Sequence, residues 1–271
     1  MYYIFMREML IDCHTHAYPV KVAGKLIPRM VDVYGVKPIH EATIEGLQDS
    51  MKASGVGKSL LLTIANRKEH VYSSNTWCIS VQSQDLLCFG SIHPDYNEWE
   101  DEIERLNDNG VRGLKLQPNA QRFHPDDERL FRIYEKLLEL DMALVFHIGD
   151  EVKPVTPLYA HPRYYARVLD SFPDLTILLA HLGGYKTFND LHHVLDYSNV
   201  WFDTAFIPWN IPDDLFISLV DEIGIERVVF GSDFPWADPK DGIAKIRELF
   251  GVEAKTILEK NPQSFLSKIY P

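Results

Sequence analysis

Eight short apolar runs recur along the 271-residue chain, each followed by a stretch with helical spacing, and this alternation constrains the fold more than any other feature. The runs cover residues 10–14, 59–64, 86–92, 111–116, 143–148, 176–181, 200–204 and 227–232. A strand that is apolar almost throughout, such as Thr176-Ile177-Leu178-Leu179-Ala180, suits a parallel sheet covered by helices. The intervening segments carry apolar residues at helical spacing: Ile44, Leu47 and Met51, then Trp99, Ile103 and Leu106, then Leu130, Ile133, Tyr134 and Leu137. Thr43 is placed to cap the first and Gly110 to close the second, while Pro212 and Pro262 sit where a first helical turn tolerates a missing N–H. Eight such units are enough to close a (β/α)8 TIM barrel, which takes about 250 residues; an open doubly wound sheet is the alternative. No Gly/Ser linker, low-complexity tract or shift of composition divides the chain, so residues 1–271 read as a single barrel domain. The extra length at 17–41 reads as a loop or subdomain at the barrel mouth, where insertions often set specificity.

The net charge of −12 argues against nucleic acid as the main ligand, because such binding depends on Lys and Arg neutralising phosphates. A small-molecule substrate is the better expectation. No apolar run approaches the roughly 20 residues of a membrane span, and the first nine residues are interrupted by Arg7 and Glu8, so the reading is of a cytoplasmic protein. Cys13, Cys78 and Cys88 are odd in number and lack metal-type spacing, which reads as reduced structural thiols.

Chemistry concentrates where strands end. The first run ends Asp12-Cys13-His14-Thr15-His16, and residues two apart on a strand share a face, so both imidazoles can converge on one point. Taken alone, a His-x-His is a weak signal. His147, His181 and Asp233 occupy the same place in their own units, each after an apolar strand and before Gly or Pro. In a parallel barrel those strand ends share one rim. A single histidine there is more often a hydrogen-bonded core residue; the whole set on one rim points to a catalytic metal site. Imidazole and carboxylate suit zinc, manganese or iron, and no thiolate site is offered. Lys115 shares the rim, either snorkelling to solvent, as a carboxylated lysine bridging two metals, or as a cation for a substrate carboxylate. His93 is a second-tier candidate. Arg122 and Arg163, in loops after the fourth and fifth strands, are candidates for forking onto a carboxylate, although solvated arginines are commoner. Phe206, Trp209, Phe234 and Trp236 could wall a substrate site or pack loops on the rim.

These motifs carry a resemblance. Asp12-x-His14-x-His16, Gly113-Leu114-Lys115-Leu116-Gln117-Pro118, Phe146-His147-Ile148-Gly149, Ala180-His181-Leu182-Gly183-Gly184 and Gly231-Ser232-Asp233-Phe234-Pro235-Trp236 stand in the order of the amidohydrolase-related family. That group of the amidohydrolase superfamily includes aminocarboxymuconate semialdehyde decarboxylase, resorcylate decarboxylase and pyrone dicarboxylate lactonase. The resemblance spans nearly the whole chain. It implies one metal, often zinc, on the residues matching His14, His16, His147 and Asp233, with His181 as a catalytic histidine. It also implies that Lys115 and His181 become ligands if a second metal binds, and that a homodimer could form. The family often shows Lys-Leu-His-Pro where this chain has Gln117. TatD-like nucleases share the His-x-His start but are expected to show glutamate at the Lys115 position.

The expected reaction is hydrolysis of a small amide, lactone or ester, with a carboxylate, by a metal-activated water. Asp233 serves as ligand and proton shuttle, and His181 either orients the water or donates to the developing oxyanion. Non-oxidative decarboxylation of an aromatic or unsaturated acid is the alternative on the same residues, and a non-catalytic metal-binding barrel is the reading of a different class.

Overall fold

Every one of the eight apolar runs overlaps a strand in the structure, a computed structural model that describes residues 9–270. The Arg7 and Glu8 interruption lies outside the described residues. The strands are β1 (Leu10–Thr15), β2 (Val56–Leu62), β3 (Leu86–Phe89), β4 (Gly113–Leu116), β5 (Ala143–Phe146), β6 (Ile177–Leu179), β7 (Val200–Asp203) and β8 (Val228–Val229). Neighbours pair in parallel in chain order within two groups, β1 to β3 and β4 to β8. Two seams join them into a barrel. At one, Gly90 N–H donates to Gly113 O and Lys115 N–H donates to Gly90 O. At the other, Cys13 N–H donates to Phe230 O, His16 N–H to Phe234 O and Asp233 N–H to His14 O. The fold is therefore the (β/α)8 barrel and not an open sheet.

Successive strand residues enter different packing layers. Leu144 and Phe146 join the larger apolar cluster with the helices, whereas Ala143 and Val145 join a second cluster with Leu60, Leu62, Phe89, Leu178, Trp201 and Val229. This is the period of two that a strand buried on both faces imposes. Lys115 stands in register with Val145, so it shares the inner face.

The helices are α1 (Val20–Tyr34), α2 (Ile44–Ser54), α3 (Val71–Val81), α4 (Trp99–Asp108), α5 (Pro118–Gln121), α6 (Phe131–Glu139), α7 (Ala166–Ser171), α8 (Asp213–Ile223), α9 (Pro239–Phe250) and α10 (Asn261–Ser267). Thr43 caps α2 by accepting from Gly46 N–H at 3.1 Å. The strict alternation read from the sequence fails once: between β6 and β7 the described residues form 3-10 turns, including Phe188–His193, and no α-helix. The 17–41 insertion is chiefly α1, which starts after Pro19 and ends at Gly35 in the left-handed region. Only Ala23 of α1 is buried, and the helix presents Leu26, Met30 and Tyr34 to the barrel mouth. No helix among the described residues is long and apolar enough to cross a membrane.

The reading of three reduced cysteines needs correction. Cys78 on α3 and Cys88 on β3 are joined as a disulfide with Cα atoms 5.8 Å apart, and Cys13 alone is free. Helix α3 packs on β3, which brings together two sulfurs that sequence spacing had not marked as a pair.

Candidate active site

Strand alternation and the second seam deliver the histidines to one point at the carboxyl ends of the strands. His14 projects from β1 and His16 directly follows it, His147 directly follows β5, His181 follows β6 after one residue, and Asp233 lies on the turn after β8. His181 and Asp233 adopt left-handed backbone, with φ of 56° and 69°. Such conformations are costly for residues with a Cβ and cluster at functional sites.

Hydrogen bonding settles which ring nitrogens carry protons. His14 Nδ1 lies 2.7 Å from Asp203 Oδ2, and His16 Nδ1 lies 2.9 Å from the carbonyl oxygen of Leu62. A carbonyl only accepts, and the Asp203 carboxylate already accepts His181 N–H at 2.9 Å and Ala205 N–H at 3.0 Å through its other oxygen. Both imidazoles therefore donate from Nδ1 and turn bare Nε2 atoms inward. Those two Nε2 atoms stand 3.1 Å apart and lie 3.6 and 3.5 Å from Asp233 Oδ1. Burial, reinforced for His14 by the Lys115 charge and for His16 by His14 and Lys115, holds both pKa values well below the usual histidine range. The two neutral lone pairs facing each other at 3.1 Å have no hydrogen to share. A cation between them removes the conflict, and a pair of imidazoles with a carboxylate is a donor set that zinc, manganese and iron accept.

His14, His16 and Asp233 form the one cluster among the described residues whose ligand atoms all lie within 4.8 Å. His147 stands beside it. Its Nδ1 is 3.1 Å from His181 Nε2, and its Nε2 is buried without a hydrogen-bond partner, although Glu151 Oε1 lies 3.2 Å away. That nitrogen faces the Glu151 carboxylate, in keeping with the lowered pKa of Glu151. His181 donates Nδ1–H to Ala205 O at 2.8 Å, which leaves Nε2 as its acceptor face. Burial above all holds its pKa well below the ordinary value. This alters the expected chemistry: the N–H assigned above to an oxyanion is committed to the backbone.

Lys115 is 1% exposed, and its Nζ is buried with no hydrogen-bond partner. Burial lowers its pKa, against the pull of the Asp203, Asp233 and Glu151 charges. Burial conversely raises Asp233, opposed by the Lys115 charge. Asp12 is pushed up to about 7 by burial, while hydrogen bonds from Ser232 and His14 work against the rise.

The cavity over these groups is lined by the Lys115 cation, by Asp150, Glu151 and Asp233, and by apolar and aromatic side chains. Tyr18, Leu26, Met30 and Tyr34 come from the insertion and the turn before it, while Phe206 and Trp236 come from the loops after β7 and β8. Arg122 and Arg163 are not brought here. Both are exposed, and Arg163 instead donates to Tyr164 Oη at 2.6 Å and lies over that ring. His93 and Trp209 also lie outside this cavity, whereas Phe234 is fully buried beneath His40.

Three participants were missed by sequence reading. Asp203 ends an apolar strand, as Asp233 and the histidines do, so the rim rule could have found it. Glu151 lies on the loop after β5 and has no such signal. Burial alone would raise its pKa, but the His147 imidazole, the Asn119 amide and His181 outweigh burial and hold it at about 2. Gly231 permits the approach of His14 to Asp203: a Cβ there would stand 2.7 Å from His14 Cβ and 3.3 Å from Asp203 Cβ.

The family model described as Amidohydrolase matches residues 11–267. Among solved structures, the chain superposes on an uncharacterized TIM-barrel protein from Bordetella bronchiseptica with a TM-score of 0.76 at 19% identity, covering 97% of this chain and 99% of that one. It superposes on a 5-carboxyvanillate decarboxylase from Novosphingobium aromaticivorans, with bound manganese and 3-methoxy-4-hydroxy-5-nitrobenzoic acid, at a TM-score of 0.72 and 15% identity, covering 96% and 97%. A probable 2-pyrone-4,6-dicarboxylic acid hydrolase from Acinetobacter baumannii, with citric acid bound, gives 0.66 at 14% identity, covering 95% and 99%. At these identities the likeness concerns the fold. No curated protein matches the chain in sequence.

Proposed function

The chain belongs to the amidohydrolase family, and on that premise we propose that it is a metal-dependent hydrolase of a small carboxylate-bearing amide, lactone or ester. The observation that carries this reading is the pair of bare imidazole nitrogens facing Asp233 beside an unpartnered buried ammonium. His14, His16 and Asp233 would hold the divalent ion, with His147 available as a further ligand; zinc is the first expectation, and manganese or iron are the alternatives. When bound, the ion supplies Lewis acidity, polarising an oxygen of the substrate or of water.

The chain's own groups supply the rest. Lys115 Nζ binds the substrate carboxylate, exchanging an unpaired buried charge for a charge-assisted hydrogen bond. His181 Nε2, held as an acceptor by Ala205, takes a proton from the attacking water. Asp233 moves that proton to the leaving group. Tyr18, Leu26, Met30, Phe206 and Trp236 exclude bulk water from the bound substrate. Trp236 contributes an apolar contact to substrate. Arg122 and Arg163, exposed and outside the cavity, take no part.

Decarboxylation of an aromatic acid is the second reading. It is favoured by the aromatic walls of the cavity, which Asp233 also lines as the group to give a proton to carbon. A panel of carboxylate-bearing lactones, amides and esters, run beside isotope-labelled aromatic acids with zinc- and manganese-loaded protein, separates the two. Acid release without labelled carbon dioxide, lost in His181→Gln, supports hydrolysis. Labelled carbon dioxide from an aromatic acid replaces it with decarboxylation.

A further inference from the structure

Lys115 has a second unpartnered group beside it. Gln117 lies two residues further on, just past the end of β4, and lines the same cavity as Lys115. Gln117 lines the cavity, is 8% exposed, and its Oε1 is buried with no hydrogen-bond partner.

The orientation of that amide is dictated by its neighbours. Asn119 Oδ1 accepts Ala160 N–H at 2.9 Å, and a backbone N–H leaves no choice about which end of the Asn119 amide faces it. The Asn119 Nδ2 must then point the other way, donating to Gly149 O at 3.1 Å and to Glu151 Oε1 at 3.2 Å. Glu151 Oε1 is thereby an acceptor. Gln117 meets the same oxygen at 3.2 Å and so presents its NH2 to it, turning Oε1 away. The backbone below is held as firmly: Gln117 N–H donates to Gln121 Oε1 at 2.8 Å, and Gln121 Nε2 donates to Ala65 O and Ile92 O at 3.0 and 2.9 Å.

We propose that Gln117 is a specificity-determining residue whose fixed carbonyl oxygen reads a hydrogen-bond donor on the substrate. Rotating the amide to escape would set its oxygen against Glu151, so the acceptor is preorganised. A buried acceptor without a partner is a standing cost that a ligand hydroxyl or N–H removes. With Lys115 Nζ as the adjacent cationic donor, the complementary ligand carries both a carboxylate and a hydroxyl or N–H. That makes it a hydroxy- or amino-substituted acid. The inference rests on the carboxylate-binding role of Lys115 proposed above.

The test is calorimetric binding to zinc-loaded protein of matched hydroxybenzoates and methoxybenzoates, in ortho, meta and para series, which differ by the donor and one methyl group. At least one hydroxy acid is expected to bind roughly tenfold or more tighter than its methyl ether. Gln117→Leu, which keeps the volume and removes the acceptor, is expected to erase that ratio by weakening the hydroxy acid and not the ether. Glu151→Gln, which frees the Gln117 amide to rotate, is expected to reduce the ratio with Gln117 intact, and near-UV circular dichroism checks both folds. Carboxylate binding that is lost in Lys115→Met, with an unchanged ratio in Gln117→Leu, overturns the role of Gln117 and leaves the carboxylate reading standing. Carboxylate binding that survives Lys115→Met, or its absence in the parent protein, overturns both.

Discussion

Replacing Asp203 by asparagine tests the metal site through a residue that never touches the metal. Oδ1 of Asp203 accepts two backbone N–H groups, from His181 and Ala205, so the amide oxygen of the variant must stay there. The new NH2 then faces His14 Nδ1 at the present 2.7 Å, donor against donor. His14 escapes by moving its proton to Nε2, the atom 3.1 Å from His16 Nε2 and facing Asp233. One imidazole lone pair is thereby lost from the cluster. Changes to such supporting partners weaken metal binding by about 10–100-fold, or about 1.4–2.8 kcal/mol. Stability changes less, by about 1 kcal/mol, since volume is conserved and a neutral amide replaces the carboxylate in the hydrogen bond to His14. Competition against a chromophoric chelator, with zinc and manganese separately, measures the affinity, and circular dichroism verifies the fold. A folded variant that binds metal within twofold of the parent would refute the tautomer argument.

Metal binding should also report the protonation pattern. In the metal-free protein burial raises Asp233 and lowers His14 and His16, so at neutral pH the carboxyl keeps its proton and the imidazoles carry none to displace. Affinity is then expected to rise about tenfold per pH unit while Asp233 remains protonated and to level off above its pKa, with about one proton released per ion; calorimetry in buffers of differing ionisation heat counts it, and three protons would contradict the neutral imidazoles. Lys115→Met removes a buried ammonium without a hydrogen-bond partner, so thermal unfolding of the metal-free protein should show stability unchanged or raised by about 1 kcal/mol; a marked loss would mean that Lys115 is a structural cation. Gly231→Ala places a methyl 2.7 Å from His14 Cβ, and denaturant titration should show a loss of about 1–3 kcal/mol together with weaker metal binding. Unaltered stability and affinity would deny that His14 and Asp203 need that close approach.

Much of the barrel was legible because its signals are local. Apolar runs of strand length, spaced by helical patterns, marked all eight strands, and only the sixth unit deceived, where 3-10 turns replace the helix between β6 and β7. Strand ends were less legible: the run at 227–232 yields a ladder only over Val228–Val229, because beyond it the chain bonds singly to β1 and to the Asp12 side chain. The Cys78–Cys88 pair escaped notice because packing of α3 on β3, and not spacing, brings the sulfurs together. Arg122 and Arg163 are exposed outside the cavity, as the commoner solvated reading had it, since lying after a rim strand does not turn a side chain inward.

What the sequence by itself determined is which chemical groups reach the rim: a period of two, an apolar run and a following Gly or Pro place His14, His16, His147, His181 and Asp233 at strand ends whatever the rest of the chain does. What only the tertiary structure decided is the state in which those groups arrive. The proton of His14 is set by Asp203, 189 residues away, that of His16 by Leu62, 46 residues away, and that of His181 by the carbonyl of Ala205. Gln117 became an acceptor only because Asn119 and Glu151 close around it. Residue type supplies donors and acceptors, but a hydrogen bond needs its partner within about 3 Å at the right angle, and barrel closure alone brings partners so distant in sequence to that range.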